Sequence, residues 1–238
     1  MSLMKESISP FENRILAALP RLEYARFSSH LEAVRLPQGK TLYQVGGAIR
    51  YAYFLKSGMA SLLSVMDDGA AVEVGMVGNE GLVGLPAILR INNSPYQVVV
   101  QLPGNALRLR ADLLRAEFDR GGQLQDLLLR YLHTVLTQIS QSAACNRFHA
   151  LKARLCRWLL VSHDRAQTDT LHLTHEFLSQ MIGAPRARVT MTASGLQKAK
   201  LIRYSRGKIQ ILDRRGLESS SCECYGIVTE EINHFMAA

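Results

Sequence analysis

The pattern of hydrophobic and polar positions divides the 238-residue chain into parts with different periods. Residues 12–31 have the period of a helix, interrupted by Pro20. Between residues 36 and 109 the pattern changes to short apolar runs separated by glycines, and from residue 113 the helical period returns. Many short strands with glycine turns are typical of an antiparallel barrel or roll. The pattern therefore predicts one or two short helices, an antiparallel β-roll and then a helical segment.

Several of the short apolar runs alternate as strands do. In the run 72–77, Val72, Val74 and Met76 fall on one face, and Glu73 and Gly75 fall on the other. This alternation predicts a strand with one apolar face turned to the core of the roll and one polar face turned away from it.

A long helix is predicted after the roll, since residues 124–144 contain neither glycine nor proline. Leu128, Leu132, Val135 and Ile139 follow a 4-3-4 spacing, and a second apolar stripe lies beside them. A helix that is apolar over so wide an arc needs cover on two sides. We therefore predict that one stripe covers the roll and that these four residues form a dimer seam; the alternative is a helix packed wholly within one chain.

The segment 173–213 has the pattern of a helix-turn-helix. Thr174 is placed to cap a first helix, Gly183 permits a sharp turn, and Pro185 suits the start of a second helix. The second helix has an inward apolar face formed by Val189, Ala193 and Leu196. Two short helices joined by a tight glycine turn are the basis of one class of DNA-binding motif.

The outward face of the second helix carries the candidate binding residues Arg186, Ala187, Thr190 and Met191, with Arg188 on its flank. Residues 201–212 then read as a hairpin, or wing, with Arg206 and Lys208 near its tip. Cations at a helix start and at a hairpin tip suit a phosphate-lined major groove. The alternative is a pair of hairpins used only for packing.

The charge of the chain supports a polyanionic partner for its second half. The net charge is +8, and residues 150–215 alone, with 13 basic and 4 acidic side chains, carry +9. A solvated basic surface is the alternative. No run approaches the roughly 18 apolar residues of a membrane span, so we expect a cytoplasmic protein without a membrane partner.

Histidine and cysteine positions exclude several chemistries from the predicted roll. No histidine lies between His30 and His133, and no cysteine precedes Cys145. We therefore expect no catalytic residues, no enzyme activity and no metal or haem site in the roll. Cys222 and Cys224 could form half of a metal or redox site, but no second pair stands nearby in the sequence. We interpret them as reduced or packed thiols and predict no metal site.

In the predicted roll, helix-turn-helix and wing, the chain resembles the Crp/Fnr family of bacterial transcription regulators. The resemblance covers nearly all of the chain. It rests on Leu173–Gly183, Arg186, Val189, Leu196–Lys198, Leu201–Ile202, Arg206–Ile209 and Ile211–Arg214 in the second half, and on the glycine pattern of Leu36–Gly39, Tyr53–Gly58 and Gly78–Gly81 in the roll.

The resemblance implies an α+β fold with three parts. These are an N-terminal antiparallel β-roll (a double-stranded β-helix) with its helices in residues 1–111, a long dimerisation helix in 112–149, and a winged helix-turn-helix with a C-terminal extension in 150–238. It also implies a homodimer on a pseudo-palindromic double-stranded DNA operator. By position, Arg186, Ala187, Thr190 and Met191 would face base edges, while His175, Arg188 and the wing residues Arg206 and Lys208 would lie near phosphates.

The small-molecule effector is not identified by the resemblance, and RNA polymerase is a candidate partner. Members that bind cyclic nucleotides hold the ribose with a glutamate and the cyclic phosphate with an arginine, around a short helix in the roll. We expect no counterpart of either residue in the matching stretch, which runs from Gly81–Pro86 to Ser94–Gln97. We therefore expect that cyclic AMP does not bind. The competing function is a non-enzymatic ligand-binding or docking module whose winged helix binds protein.

Overall fold

The computed structural model describes residues 12–166 and 168–237, except for the side chains of residues 236 and 237. The first eleven residues of the predicted N-terminal domain lie outside the described residues. The chain opens with two short helices, α1 (Arg14–Ala17) and α2 (Arg21–Ser28), separated by Pro20. The buried side chain of Asn13 caps α1 and also donates to the carbonyl oxygens of Leu55 and Gly81, both at 2.8 Å. These bonds fasten α1 to the β-structure that follows.

Eight strands form the predicted antiparallel roll. They are β1 (Glu32–Leu36), β2 (Thr41–Tyr43), β3 (Tyr51–Leu55), β4 (Met59–Val65), β5 (Ala71–Val77), β6 (Leu82–Val83), β7 (Gln97–Leu102) and β8 (Gly104–Arg110). They pair as two four-stranded sheets, in the orders β1-β8-β3-β6 and β2-β7-β4-β5. Apolar side chains such as Leu55, Val98 and Val100 fill the space between the sheets.

The strand β5 differs from its predicted alternation. Leu62 pairs with Gly75 and Leu63 pairs with Glu73, so a bulge falls at Val74. Glu73, predicted on the outward polar face, is buried, whereas Val72 and Val74 are only half-buried. The reason is that the second half of the chain packs against this face of the roll.

The segment 112–149, predicted as one long helix, holds two helices. Helix α3 (Ala111–Asp119) ends before Gly121 and Gly122, which have φ angles of 79° and 88° and separate it from α4 (Gln123–Phe148). Both carboxylate oxygens of Glu23 accept hydrogen bonds from the first backbone N–H groups of α4, at 3.1 Å. A side chain from α2 thus caps the long helix, and its negative charge at the helix N-terminus stabilises that helix.

Two of the four residues of the predicted dimer seam are buried within the chain. Leu128 is fully buried against the roll of its own chain, and Val135 packs beside it, so neither side chain is available to a second copy. Leu132 and Ile139 are only partly covered. The dimer seam itself stays a prediction, and Leu128 and Val135 belong to the buried stripe of α4.

The second half of the chain has the predicted winged helix-turn-helix architecture. Its elements are α5 (Leu151–Ala166), β9 (Thr170–His172), α6 (His175–Ile182), α7 (Arg186–Lys198), β10 (Ile202–Ser205), β11 (Lys208–Ile211), α8 (Arg214–Ser220) and α9 (Cys224–Ala237). The strands β9, β10 and β11 form one antiparallel sheet with β11 in the centre. Among the described helices, none is long and apolar enough to cross a membrane.

The C-terminal helix α9 returns to the long helix α4. Phe235 of α9 packs against Tyr131 of α4, with ring centroids 5.6 Å apart. Further along, Thr134 Oγ1 donates to the carboxylate of Glu231 at 3.3 Å. The roll therefore covers one side of the long helix and α9 covers another, and no part of the chain that the structure describes covers the third side.

Candidate nucleic-acid interface

The turn between α6 and α7 is formed by residues whose local preferences suit it. Thr174 Oγ1 accepts a hydrogen bond from the N–H of Phe177 at 3.1 Å and so caps α6. Gly183 ends α6 in the left-handed region, with a φ of 62°. Pro185 precedes the first residue of α7, where a missing N–H breaks no helical hydrogen bond.

The inward faces of the two helices anchor them in one core. Leu178, Met181 and Ile182 of α6 are buried with Val189, Ala193 and Leu196 of α7. Trp158 of α5 lies in the same core, and its ring meets that of Phe177 edge to face at 6.5 Å between centroids. This packing fixes which side of α7 is turned outward.

The outward side of α7 presents the predicted binding residues to solvent. Arg186, Ala187, Arg188 and Met191 are exposed. Met191 exposes 74% of its surface, although burial of an apolar side chain of this size would stabilise the fold. Arg186 lies in the first turn, 3.4 Å from the carboxylate of Glu176 in α6. Because both groups are exposed, this ion pair is weak and a phosphate or base edge can replace it.

Thr190 and His175 act as a pair that joins the two helices. Thr190 Oγ1 and His175 Nδ1 are 2.9 Å apart, and both side chains are half-buried. The imidazole also stacks on the ring of Tyr204 in β10, at 4.0 Å between centroids and 18° between planes. Burial and the nearby charge of Arg186 lower the pKa of His175, which favours the neutral ring near pH 7. This contact fixes the wing relative to both helices.

The wing ends in a tight two-residue turn. Ser205 pairs with Lys208, and the intervening Arg206 and Gly207 have φ angles of 48° and 74°, as a type I′ hairpin requires. Arg206 and Lys208 are exposed. The carbonyl oxygen of Gly207 accepts from the N–H of Leu173 at 2.8 Å, so the tip of the wing lies beside the start of α6.

Sequence reasoning missed several residues that hold this surface together. Tyr204 supports His175, and Gln197 Oε1 accepts from the N–H of Tyr204 at 2.7 Å. Glu176 pairs with Arg186. No local pattern marks these residues, because each contact joins elements that the sequence keeps apart.

The short helix of the roll, where the resemblance places an effector, is packed with apolar residues. Leu85, Pro86 and Ala87 form a single 3-10 turn and are buried. The expectation that the stretch 81–97 has no arginine is wrong, because Arg90 lies between Pro86 and Ser94. Its side chain is 73% exposed and pairs with Asp119 at 3.3 Å. In this arrangement Arg90 does not face the interior of the roll.

The fold and this surface define the class of the protein: a β-roll joined through a long helix to a winged helix-turn-helix. The family model for the cyclic nucleotide-binding domain matches residues 33–120, and that for the Crp-like helix-turn-helix domain matches residues 153–220. The two matches together cover about two thirds of the chain. The chain belongs to the Crp/Fnr family and is a transcriptional regulator of that type.

Two curated relatives are similar to this chain over most of its length. The chain is 22% identical over 212 residues to the global nitrogen regulator of Synechococcus elongatus, which covers 85% of this chain and 94% of the relative. It is 24% identical to the global nitrogen regulator of a Nostoc species over 184 residues, or 73% of this chain and 82% of the relative.

Two solved structures share the fold. A Crp/Fnr-family regulator from Eubacterium rectale has a TM-score of 0.70 at 18% identity, with 87% of this chain and 97% of that chain covered. FixK2 from Bradyrhizobium japonicum has a TM-score of 0.69 at 13% identity, with 81% and 98% covered. These similarities confirm the predicted fold class.

Proposed function

We propose that the protein is a homodimer that binds a pseudo-palindromic DNA operator, with α7 entering the major groove and the wing resting on the backbone. The observation that supports this most strongly is the exposed first half of α7. It presents Arg186, Arg188 and Met191 outward while Val189 and Ala193 hold the helix in the core. An arginine in the first turn of such a helix can reach a guanine edge with two hydrogen bonds.

The phosphate contacts in this proposal come from the start of α6 and from the wing. His175 begins α6, where the backbone N–H groups also favour an anion, and the wing tip with Arg206 and Lys208 lies beside it. The net charge of +9 over residues 150–215 supplies the long-range attraction to a polyanion. Phosphate contacts of this kind set affinity and position, whereas Arg186 and Met191 would set sequence preference.

The dimer in this proposal forms through the open side of α4. Leu129 and Leu136 are 47% and 55% exposed, although both are apolar residues in a long helix. Together with Leu132, Ile139 and Ala143 they follow a 3-4-3-4 spacing, which is the a/d pattern of a coiled coil. A second copy of α4 packed on this stripe would cover both leucines and bring two copies of α7 into one symmetric molecule.

The effector of the roll is a separate part of the proposal. We expect that cyclic AMP does not bind, because the stretch 81–97 has no glutamate for the ribose and its one arginine, Arg90, lies outside, beside Asp119. RNA polymerase remains a candidate partner of the DNA-bound protein.

Binding to random-sequence duplex DNA at several salt concentrations tests the DNA-binding part. We expect affinity to fall linearly with salt on a logarithmic plot. Lys208→Ala should weaken every duplex alike and flatten the slope by ~0.9, because one phosphate is no longer neutralised. Lys40→Ala, which removes an exposed cation from the roll, is the matched control. Absence of binding at low salt would contradict the proposal and favour a winged helix that binds protein.

A further inference from the structure

Four side chains that can bind a metal meet where the long helix ends. Cys145 and His149 belong to the last turn of α4 and its C-cap, and Cys222 and Cys224 lie just before α9 and at its first residue. One ligand atom from each residue can be chosen so that all four lie within 4.8 Å of one another. In the sequence the two pairs are 77 residues apart, which is why Cys222 and Cys224 look isolated there.

The distances within this cluster are close to those of a tetrahedral metal site. Cys145 Sγ and Cys222 Sγ are 3.5 Å apart, and Cys224 Sγ and His149 Nδ1 are 3.4 Å apart. With Zn–S bonds of about 2.3 Å and Zn–N bonds of about 2.0 Å, two ligand atoms of a tetrahedral zinc lie about 3.5 to 3.8 Å from each other. Only small side-chain shifts would bring all four atoms onto one ion.

The local backbone explains why the four residues converge. His149, at the C-cap of α4, donates its backbone N–H to the carbonyl oxygen of Cys145 at 3.1 Å, so the two residues lie one helical turn apart. Cys222 and Cys224 flank a single residue, which is a short spacing for two ligands of one ion. Each segment therefore offers two ligands for one ion, and the fold brings the two segments together.

The neighbours of the cluster suit a bound cation. His149 Nε2 lies 3.1 Å from a carboxylate oxygen of Glu223; donation by Nε2–H leaves the lone pair of Nδ1 free for a metal. Gln141 Nε2 donates to Cys224 Sγ at 3.0 Å. The guanidinium of Arg157 is buried, and its Nε has no hydrogen-bond partner among the described residues. Its positive charge favours the thiolate forms of Cys145 and Cys222.

Burial of the cluster argues against thiols that function as exposed nucleophiles. Cys145 and Cys224 have no exposed surface, and Cys222 exposes only 6%. A buried thiol is inert as a nucleophile, whereas a bound metal would hold each sulfur as the thiolate. A divalent cation would compensate the charge of three thiolates to a net −1, next to the positive Arg157.

From this geometry we infer that Cys145, His149, Cys222 and Cys224 form a closed zinc site of the Cys3His type. Three sulfurs and one imidazole, with no open position, are the ligand set of a structural zinc. The site would fasten the start of α9 to the end of α4, beside the short link at His149 and Ala150 that joins α4 to α5. This inference does not depend on the proposed DNA binding.

Metal analysis of the full chain, purified without chelator or metal-affinity resin, tests the site. We expect about one zinc per chain in the wild type, and roughly tenfold less in Cys222→Ser and in Cys224→Ser. Cys156→Ser is the matched control, since Cys156 is equally buried but lies outside the cluster. It should keep its zinc.

Cobalt titration of the reduced, metal-free wild type keeps the test independent of whether the variants fold. Tetrahedral thiolate coordination gives intense visible absorption, which should saturate at about one cobalt per chain and disappear when zinc is added. Hydrogen exchange of α9 should slow when the metal is bound. Three results would overturn the inference: no zinc and no cobalt–thiolate absorption, bound iron in place of zinc, or a stable Cys145–Cys222 disulfide in the purified protein.

Discussion

A carboxylate oxygen of Glu73 in the roll accepts a hydrogen bond from the indole Nε1 of Trp158 in α5, at 3.0 Å. The other oxygen accepts from Ser61 Oγ and, at 3.2 Å, from Gln101 Nε2. Gln101 in turn contacts the sulfur of Met181 in α6. A buried polar chain therefore joins the roll to two helices of the winged domain, with an ionisable group at its centre.

Glu73 should make the stability of this junction depend on pH. Burial raises its pKa from 4.5 to about 7, against the opposing effects of Ser61, Arg157, Trp158 and Arg165. The native state thus holds the proton more tightly than the unfolded chain. This contributes stability that is fully present below pH 4.5 and is lost as the pH rises through about 7.

We predict that Glu73→Gln removes this loss and stabilises the protein by about 3 kcal/mol at pH 8 relative to the wild type. The amide can keep the bond from Trp158, and Gln101 can turn its own amide, whose buried Oε1 has no partner among the described residues, to accept the new N–H. Urea unfolding between pH 5 and 8 measures the effect, with exposed Glu230→Gln as the control. Parallel pH profiles for wild type and Glu73→Gln would refute the assignment.

Substitutions can distinguish the proposed dimer seam of α4 from the face of α4 that packs in the core. Leu129→Asp combined with Leu136→Asp should give a folded monomer, since each unpaired charge buried in the seam costs several kcal/mol. Leu22→Asp, on a leucine of α2 that is 82% exposed, should remain dimeric. Leu128→Asp should unfold the chain instead, because that residue is buried against its own roll. Sedimentation equilibrium and circular dichroism distinguish these outcomes; a dimeric double variant would exclude this stripe.

Cyclic AMP should show no binding heat in titration calorimetry with the wild type. A charge-assisted hydrogen bond contributes about 1.5 to 3 kcal/mol. The stretch 81–97 has no glutamate for the ribose, and its one arginine, Arg90, pairs with Asp119 instead of facing the roll interior. Arg90→Ala should leave the result unchanged, because Arg90 pairs with Asp119 on the outside. A micromolar dissociation constant that is weakened by Arg90→Ala would show that this arginine turns inward to hold the phosphate.

Features that depend on local sequence could be predicted, including the glycine-separated strands of the roll and the cap and turn at Thr174 and Gly183. The exposure of Arg186 and Met191 also follows from the period of α7. Which apolar stripe of α4 stays exposed could not be predicted, because Leu128 and Leu129 belong to adjoining stripes and only the packed roll decides which one is covered. The approach of Cys145 to Cys222 likewise depends on α9 returning to α4, which no local pattern indicates.

The central claim, that two copies of α7 read a symmetric operator, is tested most directly by selection from a random duplex library. The wild type should select an inverted repeat with half-sites about 10 base pairs apart. Met191 has no hydrogen-bond donor and can contact a thymine methyl group, so one position of each half-site should favour A·T pairs. Arg186→Ala should lose the preference at one symmetric pair of positions, by about 1 to 3 kcal/mol, and keep the rest. An unchanged motif with Arg186→Ala, or a single unpaired half-site with the wild type, would contradict the account.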